Sequence, residues 1–158
     1  MHSPAVIALA LLLAACAPGD KAPGVDARSA ASRVVQEDAI REAAFRHQLQ
    51  TGTVDPAKPL AHCLQVDGRD PSDALLARFP RLYKASDCDQ RLQGVRVVAS
   101  GQPALLLRSG AIRWRNDAEV EIAVGFYFAG QGASEHTYRL QRVEGRWRVL
   151  SETLDIVA

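Results

Sequence analysis

The chain has 158 residues and a mass of 17.1 kDa, which is enough for one domain of ordinary size and too little for two. Hydrophobic residues make up 47% and charged residues 23% of the sequence, a composition that excludes a disordered or fibrous chain. Nineteen Lys and Arg residues balance eighteen Asp and Glu residues, so the net charge is +1 and the basic excess typical of nucleic-acid-binding proteins is absent.

Residues 1–15 have the features of a signal peptide. Residues 5–14 are apolar and too few to cross a bilayer as a helix, although residues 1–4 lack the usual Lys or Arg. The segment Leu13-Ala14-Ala15-Cys16 resembles the lipobox of bacterial lipoproteins. This resemblance implies cleavage before Cys16 and acylation of that cysteine with fatty acids such as palmitate. An ordinary cleaved signal peptide that happens to contain a cysteine is the alternative.

The lipobox resemblance predicts a protein of the cell envelope, anchored to the membrane by its lipid and facing the periplasm. Ala17 stands where inner-membrane lipoproteins often carry Asp, so the resemblance favours the outer membrane. Residues 16–31 are rich in Ala, Pro, Gly and Asp and show no apolar period. They are predicted to form a flexible tether before a single domain at residues 32–158.

The two remaining cysteines are predicted to form a disulfide. Cys63 and Cys88 are an even pair once Cys16 is acylated, and the periplasm is an oxidising compartment. Two buried free thiols are the alternative.

The domain is predicted to begin with a long helix over residues 32–50. Glu37 with Arg41, and Glu42 with Arg46, are i,i+4 pairs in the favourable orientation. One face carries apolar and small side chains suited to packing against a sheet. This predicted face consists of Ile40, Ala43, Ala44 and His47, widened by Phe45 and Leu49.

A short strand and a short helix are predicted next. Residues 60–66 alternate as a strand does, and Asp67-Gly68 is a turn signal. Asp70 is expected to cap the second helix and Pro71 to occupy its first position. Extended structure resumes at residues 82–88, so the predicted disulfide would connect the segments on both sides of this helix.

The C-terminal half is predicted to be an antiparallel β-meander. Residues 95–99 and 104–108 are extended runs, and Gly110 is a candidate bulge. A loop at residues 116–118 pairs apolar residues with apolar residues, and charged residues with residues of opposite charge, across the two strands. The pairs it predicts are Ile112 with Ile122, Trp114 with Val120, Arg113 with Glu121 and Arg115 with Glu119. The charged side chains of these pairs form either a solvated outer face or an edge that recognises another envelope protein.

The last hairpin is predicted to turn at Glu144-Gly145, which pairs Leu140 with Val149. Tyr138 and Trp147 then share the face of that pair. Five aromatic residues are expected to point to the inner face of the sheet, namely Trp114, Phe126, Phe128, Tyr138 and Trp147.

One long helix before a curved antiparallel meander, with one short helix, predicts an α+β fold. Residues 39–47, the Asp70-Pro-Ser-Asp segment and residues 137–149 resemble a family of small bacterial lipoproteins of unknown function. The resemblance implies a cystatin-like or NTF2-like cone and carries no catalytic residue over to this chain. Such cones host enzymes, ligand carriers and inert scaffolds, so the fold alone implies no function.

No catalytic residue, cofactor or metal site is predicted. His47, His62 and His136 lack the spacing of metal-ligand motifs, and no nucleophile motif is present. His47, on the apolar stripe, is expected to be a residue at the edge of the core. The candidates for lining a small pocket in an open cone are His136, Tyr138 and Asp155, with Glu152 as a second carboxylate that could enter the cone or face solvent.

These features favour a lipid-anchored binding or interaction module of the cell envelope without catalytic activity. Its expected partners are the membrane, through Cys16, and another envelope protein, with no nucleic acid. The alternatives are a small-ligand carrier or enzyme that uses the cone interior, an inhibitor or immunity lipoprotein, and a structural envelope lipoprotein.

Overall fold

A computed structural model describes residues 24–51, 60–91, 94–128 and 132–157 of the chain. It contains a long helix, α1 (Gly24–Thr51), a short helix, α2 (Asp73–Leu76), and a 3-10 turn (Ala85–Asp87). The strands are β1 (Ala61–Val66), β2 (Leu82–Lys84), β3 (Cys88–Arg91), β4 (Gly94–Val97), β5 (Pro103–Asn116), β6 (Glu119–Phe128), β7 (Gly132–Val143) and β8 (Arg146–Val157). The α+β class is confirmed. Neither of these helices combines the length and apolar character needed to cross a membrane. The predicted signal peptide and Cys16 lie outside the described residues.

α1 begins at Gly24, eight residues before its predicted start at Ser32. The last eight residues of the predicted tether are therefore helical. No Gly or Pro follows Gly24 until Gly52, and extending an existing helix through Ala-rich sequence costs little free energy. Residues 29–35 are exposed, so this part of α1 has no buried face. It therefore has no apolar period from which the helix could be predicted.

The packing face of α1 is more polar than predicted. Ile40, Ala44 and Phe45 are buried as expected, whereas Leu49 is exposed. Two charged side chains are buried on the same face, and each has a partner from another element. The Ser72 hydroxyl donates to Asp38 Oδ2 at 2.7 Å, and Arg41 Nη2 lies 2.8 Å from Asp67 Oδ2. Buried polar groups need hydrogen-bond or ion-pair partners. Here the partners are distant in sequence, so the periodicity of the helix cannot reveal them.

The sheet is mixed, with strand order β2-β1-β5-β6-β7-β8. β5 to β8 form the predicted antiparallel meander. β1 lies parallel to both β2 and β5, which the prediction did not include. The β3–β4 hairpin joins the start of β5 through the Val95–Ala104 pair. On the sheet, α1 contacts β8, β5 and β7.

The core has three parts that lie on both faces of the sheet. Ile40 and Ala44 of α1 pack on the meander around Tyr138, Leu140 and Trp147. A second part joins Phe45 to α2 and to the side chains of β1 and β5 that point the same way. The third part lies on the opposite face, where the 3-10 turn, β3 and β4 cover β1 and β5. The Cys63–Cys88 disulfide belongs to this third part, and its prediction is confirmed.

The predicted register of the β5–β6 hairpin is confirmed for three of its four pairs. Ile112 faces Ile122, Trp114 faces Val120, and Arg113 faces Glu121. The fourth pair is wrong, because Asn116 and not Arg115 faces Glu119. Arg115 is an extra residue at an irregularity of the ladder. A second irregularity between Ser109 and Ile112 agrees with the bulge predicted at Gly110.

The last hairpin turns at Glu144-Gly145 as predicted, and both residues have positive φ, 50° and 78°. Leu140 faces Val149, which confirms the predicted register. Of the five aromatic residues, Tyr138 and Trp147 are buried, and the other three are partly buried against the core.

The N-cap of α2 is Ser72 and not Asp70. The Ser72 hydroxyl accepts a hydrogen bond from the Leu75 N–H at 3.0 Å. Asp70 instead accepts from the N–H and the hydroxyl of Ser86, at 2.8 and 2.6 Å. These hydrogen bonds lower the pKa of Asp70 below its usual value. Asp70 therefore ties the loop before α2 to the 3-10 turn that leads into β3.

Candidate functional site

Two histidines converge on one glutamate at the C-terminal end of α1. Glu152 of β8 places Oε2 3.2 Å from His47 Nε2 of α1 and Oε1 2.7 Å from His136 Nδ1 of β7. The His136 contact lies off the hydrogen-bonding direction of the ring nitrogen, so it is an electrostatic contact and not a well-formed hydrogen bond. These three residues are called the His–Glu–His cluster below.

The registers of β7 and β8 place this cluster under α1. Tyr138 faces Glu152 and His136 faces Leu154, so alternate residues of both strands point to the helix. The His47 ring stands edge-on to Tyr138 with 5.1 Å between ring centroids. The His136 ring is 6.2 Å from Tyr138, and its Nε2 lies 3.0 Å from the Ser134 hydroxyl.

Tyr138 forms the buried floor of the cluster. Burial and the negative charge of Glu152 raise its pKa to about 12, against a hydrogen bond with Thr51 that lowers it. The phenol therefore stays neutral at physiological pH. The His47 and Glu152 side chains are about a third exposed, at 30% and 33%, so small molecules in solvent can reach them. The cluster can accept and donate hydrogen bonds.

The structure brings together two of the three residues predicted to line a pocket. His136 and Tyr138 are neighbours, but Asp155 points to the opposite face, where it accepts from the Thr137 hydroxyl at 2.8 Å. Glu152 takes the place expected of Asp155. Residues 152 and 155 have opposite parity in a strand, and the ladder is irregular beside Asp155. Continued without an irregularity, the register of the Glu144-Gly145 hairpin would place Asp155 and not Glu152 on the face of Tyr138, so the sequence carried no signal that selects Glu152.

Gln48 follows His47 of the cluster directly in the sequence. Its side chain is buried, and neither amide atom has a hydrogen-bond partner among the residues that the structure describes. Within the described ranges, no group of three or more His, Cys, Asp or Glu side chains is arranged to hold a metal ion.

A second candidate surface is the outer edge of β8. β8 pairs with β7 on one side, and among the described residues no strand pairs with its other side. The C-terminal two thirds of the strand is exposed. The large apolar side chains exposed there are Leu150, Leu154, Ile156 and Val157, at 53%, 55%, 56% and 72%. This strand is called the β8 edge below.

The charged side chains of the outer face pair with each other. Arg113 and Arg115 contact the Glu121 carboxylate at 3.0 and 2.7 Å, and Arg139 contacts Glu119 at 2.5 Å. The three Arg side chains are more than half exposed. The charged groups of this face already form ion pairs with each other within the sheet. This face is therefore a weaker candidate for a binding surface than the β8 edge.

No protein-family model, no curated protein and no solved structure matches this chain.

His62 lies in a different, apolar environment on β1, between β2 and β5. Its neighbours across β1 are Leu82 on one side and Leu105 on the other. Burial lowers the pKa of His62 below its usual value, because removal from water disfavours the charged imidazolium.

His62→Gln is expected to reduce the pH dependence of stability below about pH 6.5. The unfolded chain takes up the His62 proton at a higher pH than the folded chain does, so the folded state loses stability as the pH falls through the unfolded pKa. Chemical denaturation of the parent and the variant between about pH 5 and 7.5 would measure this difference. The carboxylates are the same in the parent and the variant, so their contribution cancels in the difference between the two chains. If the free energy of unfolding falls in parallel for both chains as the pH is lowered, the prediction is contradicted.

Proposed function

We propose that this chain is a lipid-anchored, non-catalytic interaction module of the cell envelope, with the β8 edge as its binding surface. The observation that carries the proposal is a twelve-residue strand with an unpaired edge and exposed apolar side chains. Soluble proteins usually protect such edges with Lys, Pro, a covering loop or β-bulges. β8 has no Lys or Pro, and its ladder with β7 is irregular near residues 150 and 155. An extended segment of a partner can add to an edge of this kind through main-chain hydrogen bonds.

The lipid anchor at Cys16 and the location at the outer membrane belong to the same proposal. They are supported by residues 5–16 of the sequence, and the Cys63–Cys88 disulfide fits an oxidising compartment. The cystatin-like or NTF2-like cone is supported by one long helix packed on a curved, mostly antiparallel sheet. Cys16→Ser is expected to move the chain from the membrane fraction to the soluble fraction and to abolish labelling with a palmitate analogue. Labelling that persists would argue against the anchor.

The binding function is tested with the Cys16→Ser chain as bait for envelope and secreted proteins. We expect one stoichiometric partner, lost when Leu154 and Ile156 are both changed to Lys, because two buried ammonium groups oppose docking of a strand. Val98→Lys is the matched control, since Val98 is 67% exposed in a turn away from the β8 edge. Equal retention by the parent, the double variant and the control would refute the binding surface.

A small-ligand site at the His–Glu–His cluster is the second candidate. It is favoured by the convergence of His47, Glu152 and His136 over Tyr138. A panel of metabolites would be screened for an increase in the melting temperature of the chain. An increase that His136→Asn removes and Ile156→Lys keeps would favour a ligand carrier over an interaction module, because Ile156 faces Glu135 on the opposite side of the sheet.

A further inference from the structure

We infer that the layer between α1 and the sheet holds a binding site for a small uncharged molecule, with the Gln48 amide as its anchor. The ligand class is a compound that carries an amide or imide edge, a carbonyl beside an N–H, on an apolar body. This site is separate from the β8 edge and more deeply buried than the His–Glu–His cluster, since Gln48 is 5% exposed and the His47 side chain 30%. The inference therefore goes beyond the proposed interaction function and does not depend on it.

The buried amide of Gln48 leaves its hydrogen-bonding capacity unused. Its oxygen and its nitrogen both lack a hydrogen-bond partner within the described part of the chain. The amide offers two donors and an acceptor, and leaving such groups unpaired in a protein interior costs free energy. Methionine or leucine would fill this position of α1 without that cost. The Gln48 amide therefore needs a partner that the described residues do not supply.

Two further buried polar atoms lie in the same layer. Arg41 Nε, two helical turns before Gln48, and Ser109 Oγ of β5 have no hydrogen-bond partner among the residues described. Ser109 faces Val124 of β6, which belongs to the same part of the core as Ala44 of α1, so the Ser109 hydroxyl is on the α1 side of the sheet. Ala44 precedes Gln48 by one helical turn. The unpaired donors and acceptors are thus collected between the helix and the sheet.

Aromatic side chains extend this layer toward the C-terminal end of β6. Phe126 and Phe128 pack against the part of the core that contains Phe45, which lies one helical turn before Gln48. Both rings are only partly buried, so solvent reaches part of their surface. An apolar body can pack on these rings while its polar edge reaches the Gln48 amide, the usual division of labour in a small-molecule site.

The charges around the layer favour an uncharged ligand. The guanidinium of Arg41 already pairs with Glu37 and Asp67, at 3.3 and 2.8 Å. Gln48 and Ser109 are neutral, so a charged group buried beside them would be uncompensated and costly. An amide or imide edge offers acceptors to the unpaired N–H and O–H groups and a donor to the Gln48 oxygen. Such an edge can hydrogen-bond to both ends of the Gln48 amide at once.

Gln48→Met tests whether the amide is unpaired in the free chain. Methionine can fill the same space without polar atoms. We expect the melting temperature of the Cys16→Ser chain to rise by about 4 °C, because the cost of burying an unpaired amide disappears. Gln50→Met, the same change at an exposed glutamine of α1, should leave the melting temperature unchanged. An unchanged or lower melting temperature for Gln48→Met would show that ordered water or another residue already satisfies the amide, and would overturn the inference.

Binding is tested by calorimetric titration with phenylsuccinimide, an uncharged imide on an aromatic body, and with its N-methyl derivative, which lacks the N–H. We expect the parent to bind phenylsuccinimide about 10-fold more tightly than the N-methyl derivative, the effect of one hydrogen bond. Gln48→Met should bind the two compounds equally, and Gln50→Met should keep the preference of the parent.

The two experiments together decide the inference. If the parent binds neither compound, or binds both equally, the inference is overturned even when Gln48→Met is more stable, because the amide is then unpaired without serving a ligand. Capture of an envelope protein through the β8 edge is a separate result. It would stand if this site failed, and the site would stand if no such protein were captured.

Discussion

Replacing Cys63 and Cys88 together by alanine is expected to lower the free energy of unfolding by about 3.5 kcal/mol. The disulfide closes a loop with a sequence separation of 25, which contains the end of β1, α2, β2 and the 3-10 turn. Opening the loop raises the conformational entropy of the unfolded chain, which is the main source of the effect. Both cysteines are also buried, so the shorter alanine side chains leave unfilled space in the third part of the core.

Chemical denaturation of the double variant and of the parent without reductant would measure this loss. Dithiothreitol should lower the stability of the parent by a similar amount and leave the double variant unaffected. Unfolding midpoints that coincide in the two chains would contradict the prediction. So would equal sensitivity of both chains to reductant.

Gly125→Ala is expected to destabilise the domain by about 3 kcal/mol, the upper end of the range for overpacking. A Cβ at residue 125 would lie 2.4 Å from the backbone oxygen of Ser134, in the centre of the β6–β7 ladder. Backbone atoms of a paired strand cannot rotate away as a side chain does, so β6 and β7 would have to separate. Their separation weakens the strands that position His136 and Tyr138.

Gly110→Ala is the matched control for this substitution. It also lies in a long strand, but its Cβ would meet the Ala123 side chain at 3.6 Å, an ordinary contact. We expect a change within about 0.5 kcal/mol, because the loss of unfolded-chain entropy offsets any local cost. Thermal unfolding of both variants separates the effects. Equal melting temperatures would show that the close approach of β6 and β7 does not constrain residue 125.

Sequence reasoning was most successful where a pattern is local. Alternation of charge and apolar character was sufficient to set the register of Arg113 and Trp114, because neighbouring strands joined by a short turn have few alternatives. Simple counting of cysteines was sufficient for Cys63 and Cys88. Neither prediction required knowledge of contacts between distant parts of the chain.

The features that were missed depend on such contacts or on irregular backbone. β1 lies parallel to β5, and a parallel pairing joins segments that no hairpin turn connects. The burial of Asp38 depends on Ser72, 34 residues away. The position of Asp155 was wrong because a β-bulge changes which residues face the helix, and a bulge has no reliable sequence signal.

The early start of α1 has a consequence for how far the domain can move from a membrane. Seven residues, 17–23, separate Cys16 from Gly24. Fifteen extended residues would reach about 52 Å, whereas seven extended residues and eight helical ones reach about 37 Å. In a chain anchored at Cys16, the shorter reach of this connecting segment keeps the domain within a thinner layer beside the bilayer.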